Sequence, residues 1–172
     1  MNGNSTRKFY LMNMHNRTNE LIYKQLVLGV DPGGTTGWSM LSNEDGYEFA
    51  SGQLRMDEVA PWLQDHLNKP LAHIIIEDFR LSPEKAKAQI GSRFDTCKVI
   101  GMFELFAHIL SIPITLQPRT VKPIAERFSG IRPPRNHKMS HHIDAYNHAV
   151  YWLTQQGRFT TKLMRELSEV EH

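Results

Sequence analysis

The 172-residue sequence predicts an α/β domain built on a mixed five-stranded sheet flanked by helices. Three observations predict it. Short β-branched or aliphatic runs at residues 26–30 and 74–76 are too brief for helices and read as buried strands. Segments with helical spacing separate and follow them, and clusters of Asp, Asn, Pro and Gly punctuate the chain where it must reverse. The length suits one domain with a substantial core.

Residues 1–25 mix Asn, Arg, Lys, Thr and Met without a sustained period and read as a mobile extension. Folded structure is expected from Leu26, in a domain spanning 26–157 followed by a tail at 158–172. Leu26-Val27-Leu28-Gly29-Val30 forms the first strand, ending in Asp31, and Pro32-Gly33-Gly34-Thr35-Thr36-Gly37 the tight turn after it. Strands at 38–41 and 47–50 flank the turn Asn43-Glu44-Asp45-Gly46. Val59, Leu63 and Leu67 carry helical spacing through 57–67, with Pro61 early enough to be tolerated in the first turn. The fourth strand, 73–77, is the most hydrophobic and is expected to be central.

A long helix is expected over 83–110. Its second half (Val99, Ile100, Phe103, Leu105, Phe106, Ile109 and their neighbours) is apolar nearly all round, which implies burial by the sheet and by a second subunit. Gly91 and Gly101 inside it are expected to permit close backbone approach, and Cys97 to be a buried packing residue on its apolar stripe. A fifth strand at 112–116, a short helix at 120–128, a basic loop at 130–138 and a last helix from a Ser140 cap to 156 complete the order β-β-β-α-β-α-β-α-α.

Composition removes several functions. A single cysteine excludes an internal disulfide framework and a four-cysteine zinc site, and fits a reducing compartment. No run approaches the roughly 18–20 apolar residues of a membrane span, and the amino terminus has no apolar secretory core. A cytoplasmic location is the expectation. The net charge of +2 does not by itself require a polyanionic partner.

Chemistry concentrates at three acidic positions. Asp31 and Glu77 follow apolar β-branched runs directly, where a carboxylate loses water and needs a cation, a donor or a proton. Asp144 lies three residues after His141, so both project from one face of the last helix. The first and fourth strands can lie parallel and adjacent, and ligands in such sheets gather at strand carboxyl ends. If the helix start packs there, the four groups form a hard site suited to magnesium or manganese. Two such ions could serve phosphodiester hydrolysis. Each position has a plainer use: a strand exit at Asp31, an ion pair of Glu77 with Arg80 or Arg93, an acidic first-turn residue at Asp144. Their occurrence in order, on the right elements, favours the metal site.

Gly29-Val30-Asp31-Pro32-Gly33, Glu77 after its isoleucines, and His141-x-x-Asp144-Ala145 together resemble the RuvC-type resolvases of the ribonuclease H-like superfamily. The likeness extends over about 26–153 and includes the long helix after the glutamate and Thr120-Val121-Lys122 after the fifth strand. It implies a homodimeric endonuclease that cuts four-way DNA junctions with Mg2+ or Mn2+. Asp31, Glu77, His141 and Asp144 would be the catalytic metal ligands, and Lys122 a contact near the DNA backbone. The short segment between Lys122 and Asp144, with Pro133-Pro134, resembles the compact phage-encoded branch of that family. That branch implies broader action on flaps or branches, in a host cytoplasm.

Arg119, Lys122, Arg127, Arg132, Arg135 and Lys138 are opposed only by Glu126, and Lys85, Lys87 and Arg93 could extend this basic face. Beside a carboxylate site it reads as a phosphate-binding rim, with Arg119, Lys122, Arg132, Arg135 and Lys138 the expected DNA contacts. Trp38 is expected in the core. Phe79 could stack on a base. His142 and His148 read as supporting residues, with His148 one turn beyond Asp144 and able to contact a ligand from behind. Two other classes stay open. The 29–37 segment also resembles the first phosphate loop of actin-like ATPases and sugar kinases, and a non-catalytic DNA-binding module could share the fold.

Overall fold

The computed structural model describes residues 25–66, 68–80, 94–132 and 140–159. Strands β1 (Leu26–Asp31), β2 (Thr35–Ser42) and β3 (Glu48–Arg55) form an antiparallel meander. A 3-10 turn at Met56–Glu58 leads into α1 (Val59–Asp65), then β4 (Leu71–Glu77), α2 (Asp95–Leu110) and β5 (Ile114–Gln117). A second 3-10 turn, Arg119–Val121, precedes α3 (Lys122–Ser129), and α4 (His141–Gln155) closes the order. The sheet runs β3-β2-β1-β4-β5, with β4 parallel to both β1 and β5. This is the expected mixed five-stranded sheet flanked by helices.

Strand parity divides the core into two layers. Leu28, Val30, Met40, Ile74 and Ile76 point to one face and pack with Val59 and Leu63 of α1 and Val99, Phe103 and Phe106 of α2. Val27, Leu41 and Ile75 point to the other and meet Ala149, Val150 and Leu153 of α4. β1 and β4 are therefore covered on both sides. That explains their unbroken apolar sequences, each fully buried Leu, Ile or Val contributing about 1.5–3 kcal/mol.

The approach of α4 depends on absent side chains. A Cβ on Gly29 would stand 2.1 Å from the carbonyl oxygen of Ala145, and one on Gly37 2.0 Å from that of His141. Glycine in these two strands lets the helix backbone rest on the sheet. Trp38 lies on the opposite face, 5.0 Å from Trp62 between ring centroids and against Gly52 of β3, so its role is in the core.

Several sequence expectations are corrected here. The turn after β1 is shorter than expected, because Thr35, Thr36 and Gly37 already pair with Arg55, Leu54 and Gln53. β3 reaches Arg55 rather than residue 50, as a half-exposed strand at the sheet edge whose polar residues mask its periodicity. Phe94 has φ −39° and ψ 69°, so α2 starts at Asp95 and is not continuous with a helix beginning at 83. Residues 81–93, including Gly91, Lys85, Lys87 and Arg93, lie outside the described residues. Cys97 is exposed, on the side of α2 away from the buried Val99, Phe103 and Phe106, and a Cβ on Gly101 would meet nothing within 4 Å. Ser140 precedes α4 but caps it only through its carbonyl oxygen, which accepts from the backbone N–H of Ile143 and Asp144 at 2.9 and 3.1 Å. Arg158 and Phe159, assigned to a tail, fold back: Arg158 donates to the Asn43 side chain at 2.9 Å, and Phe159 packs on the α4 layer.

Candidate metal centre

Three parallel strands end in polar residues on the α4 face: Asp31 on β1, Glu77 on β4 and Gln117 on β5. Parity demands this, since each lies an even number of residues from Val27, Ile75 or Thr115 on that side. α4 brings its own polar residues to the same spot. His141, Asp144 and His148 occupy positions i, i+3 and i+7, one stripe of the helix, while Ala145 and Ala149 between them hold the backbone close to β1. α3 contributes Lys122, its first residue, set by the buried Val121 before it.

His141 Nδ1 is 2.6 Å from Asp31 Oδ2. The Lys122 ammonium lies 3.4 Å from Asp31 Oδ1 and 3.0 Å from Asp144 Oδ2, and it also contacts Glu77 Oε2. His148 is fully buried, with Nε2 3.1 Å from Glu77 Oε2 and Nδ1 2.9 Å from Gln117 Oε1. Glu77 is thus gripped from two sides, and the Gln117 amide fixes the imidazole that grips it.

These contacts move the titrations. Burial pushes the Asp31 carboxyl above its ordinary value, against the pull of His141 and Lys122. Burial also acts on Glu77, but hydrogen bonds from His148 and Lys122 outweigh it and bring the carboxyl down to about 2. For Lys122, burial alone would lower the value, and the surrounding carboxylates reverse this, holding the ammonium charged. His141 is raised by its bond to Asp31.

The donor set fits a divalent cation. Asp31, His141 and Asp144 each offer one ligand atom, all within 4.8 Å of one another, and oxygen with one imidazole suits Mn2+ or Mg2+. The ammonium of Lys122 marks independently where positive charge is stabilised.

The structure thus brings together all four expected metal residues: Asp31, His141 and Asp144 form the tight trio, and Glu77, beside Asp31, also contacts Lys122 and His148. Lys122, expected at the DNA backbone, is buried among the carboxylates. Arg119 and Arg132 are exposed, Arg132 pairing with Glu126 at 3.5 Å, while Arg135 and Lys138 lie outside the described residues. Phe79 meets Phe94, with centroids 6.4 Å apart. Gln117 escaped the sequence reading. Its signal was available, as the polar end of a third parallel strand beside Asp31 and Glu77.

No protein-family model and no curated protein matches the chain. Solved structures do. The structure of Thermus thermophilus RuvC in complex with a Holliday junction substrate aligns with a TM-score of 0.57 at 13% identity, covering 77% of this chain and 96% of that one. A second Thermus thermophilus RuvC structure gives 0.54 at 13% identity, over 78% and 98%. The chain has the RuvC fold. At this identity the likeness concerns the fold, and the chemistry must be argued from the residues themselves. No helix among the described residues is long and apolar enough to cross a membrane.

Proposed function

We propose that this chain is a metal-dependent, structure-specific endonuclease that hydrolyses phosphodiester bonds in four-way junctions or other branched DNA. The observation that carries the reading is the convergence of Asp31, Asp144 and His141, with Glu77 behind them, at the carboxyl ends of parallel strands on a RuvC fold. One of the structural neighbours was solved with a Holliday junction substrate, which supports branched DNA as the substrate class.

Asp31, Asp144 and His141 would hold Mg2+ or Mn2+, with Glu77 completing the set for a second ion. Bound there, the metal would supply an activated water and stabilise charge on the leaving oxygen. His141, with its side chain 41% exposed, faces outward and is the ligand nearest solvent. His148 and Gln117 orient Glu77. Arg119 and Arg132, with Arg135 and Lys138 in the adjoining segment, would bind backbone phosphates.

Two active sites suit a two-fold junction, and α2 offers a surface for pairing: Leu105 and Ile109 are 60% and 65% exposed, four residues apart on one face. We assign this face to a homodimer contact. Among relatives on this fold, the short segment before α4 favours the compact phage-encoded type.

The test is cleavage of end-labelled four-way junction, flap and linear duplex in Mg2+, Mn2+ or EDTA, beside Asp31→Asn. Paired nicks near the branch point, lost in EDTA and in the variant, are expected. Folded protein that cuts none of the substrates in either metal would refute the catalytic reading.

A further inference from the structure

The Lys122 ammonium has three N–H donors, and three carboxylates from three different elements surround it: Asp31 of β1, Glu77 of β4 and Asp144 of α4. Two of those carboxylates, Asp31 and Asp144, are also members of the trio able to hold a metal ion. The same oxygens cannot serve two cations at full strength. A divalent ion entering between Asp31 and Asp144 repels an ammonium 3.0–3.4 Å from them and withdraws its hydrogen-bond acceptors. While held there, Lys122 has no donor left for a phosphate.

The lysine stem can accommodate the exchange. Its four carbons are flexible, it is the first residue of α3, and the exposed Arg119 lies one short turn before it.

We propose that Lys122 is the resident counter-cation of the carboxylate cluster and that a metal ion binds by displacing it, so that metal loading releases one ammonium toward the DNA backbone. The proposal rests on the reading of the cluster as a metal site. It makes the phosphate-binding form of the rim depend on metal, and it keeps the metal-free cluster from flying apart by charge repulsion.

Two measurements on full-length protein test it without using cleavage. In the wild type, lysines are labelled with an amine-reactive reagent in EDTA and in saturating Mg2+ or Mn2+, and modification is read by peptide mass spectrometry. Lys122 is expected to be protected in EDTA and to become several-fold more reactive with metal, while Lys98 stays constant. In parallel, Mn2+ affinity is measured by calorimetry for wild type and Lys122→Met. Removing a competing unit charge at this distance is expected to tighten binding at least about tenfold. Equal or weaker Mn2+ binding by the variant, or a Lys122 that stays protected in the metal-saturated wild type, overturns the displacement and leaves the metal site standing. Absence of Mn2+ binding by the wild type overturns both. A variant that fails to fold leaves the labelling experiment to decide alone.

Discussion

Replacing Gly37 by alanine, directly across the ladder from Asp31, should damage the site by pushing away the helix packed on it. The added Cβ would lie 2.0 Å from the His141 carbonyl oxygen, 2.1 Å from its carbon and 2.6 Å from the His142 nitrogen, all backbone atoms that cannot rotate away. Real Cβ contacts essentially never fall under 3.0 Å, so the amino end of α4 must retreat by about 1 Å. The 2.6 Å bond between His141 and Asp31 does not survive such a stretch, and the 3.0 Å contact of Asp144 with Lys122 lengthens as well. Overpacking of this kind costs about 1–3 kcal/mol. For a domain of this size that lowers Tm by roughly 3–10 °C. A 1 Å misplacement of ligands should also cost about 100-fold in cleavage. Gly101→Ala is the control: it sits inside α2 with nothing within 4 Å, and should stabilise by about 1 kcal/mol while leaving Mn2+ affinity unchanged. Differential scanning fluorimetry, Mn2+ calorimetry and junction cleavage read the outcomes. A Gly37→Ala protein with wild-type Tm and Mn2+ affinity would falsify the claim that backbone contact positions this helix.

Other changes act on the same frame. His148→Ala removes a fully buried ring and both its bonds, taking the imidazole from Gln117 Oε1 and leaving Glu77 to the Lys122 ammonium. A loss of about 2–4 kcal/mol in denaturant titration is expected, and an unchanged midpoint would show that Glu77 is not held this way. Glu77 titrates at about 2 against an ordinary 4.5, so its stabilisation is present above 4.5 and lost as pH falls toward 2. Since Asp31, raised by burial, opposes this trend, the measurement is the difference between wild type and Glu77→Gln in EDTA, which should shrink across that window from at most about 3 kcal/mol. His141 has the opposite sign: its raised value means stability present below 6.5 that fades as pH climbs through the folded value, and His141→Asn should abolish that alkaline decline. Finally, Leu105→Glu with Ile109→Glu should convert a dimer to a folded monomer in light scattering; a wild type already monomeric at micromolar concentration removes the dimer.

The legible parts of this fold are those where one residue type has one use. Isoleucines and valines in β1 and β4 declare strands because both faces are buried, and Asp31 and Glu77 stand out because they interrupt that burial. β3 was cut short because Ser51, Gly52 and Gln53 on an edge strand carry little alternation. The glycines were read in the wrong place. Gly101 in a helix faces open space, while Gly29 and Gly37 in strands are the two that admit α4. Sequence spacing could put His141 and Asp144 on one helix face, but not show that face lying on β1. Lys122 is legible as a basic residue near the site, but its burial is not. A lysine in a basic stretch looks solvated, and only the tertiary fold reveals that three carboxylates outbid water for it.

The arrangement is expensive for the fold, and that expense is measurable. Asp31 is 7% exposed, and burial raises its carboxyl despite His141 and Lys122 nearby. A raised value means that the folded state prefers the neutral acid more than the unfolded chain does, so near neutral pH the Asp31 charge destabilises. Asparagine is close to the neutral acid in shape, with its one amide oxygen placed to accept from Lys122 and its NH2 placed to donate to Nδ1 of a neutral His141. Asp31→Asn is therefore expected to raise Tm in EDTA, while weakening Mn2+ binding and abolishing metal-dependent cleavage. A residue kept only for structure would behave the other way, since breaking a net-stabilising ion pair lowers Tm. If Asp31→Asn melts below wild type in EDTA, the carboxylate contributes to the fold through His141 and Lys122, and the trade of stability for chemistry at this position is refuted. If it melts above, Asp31 persists against the stability of its own domain, as a group held for the cation it binds does.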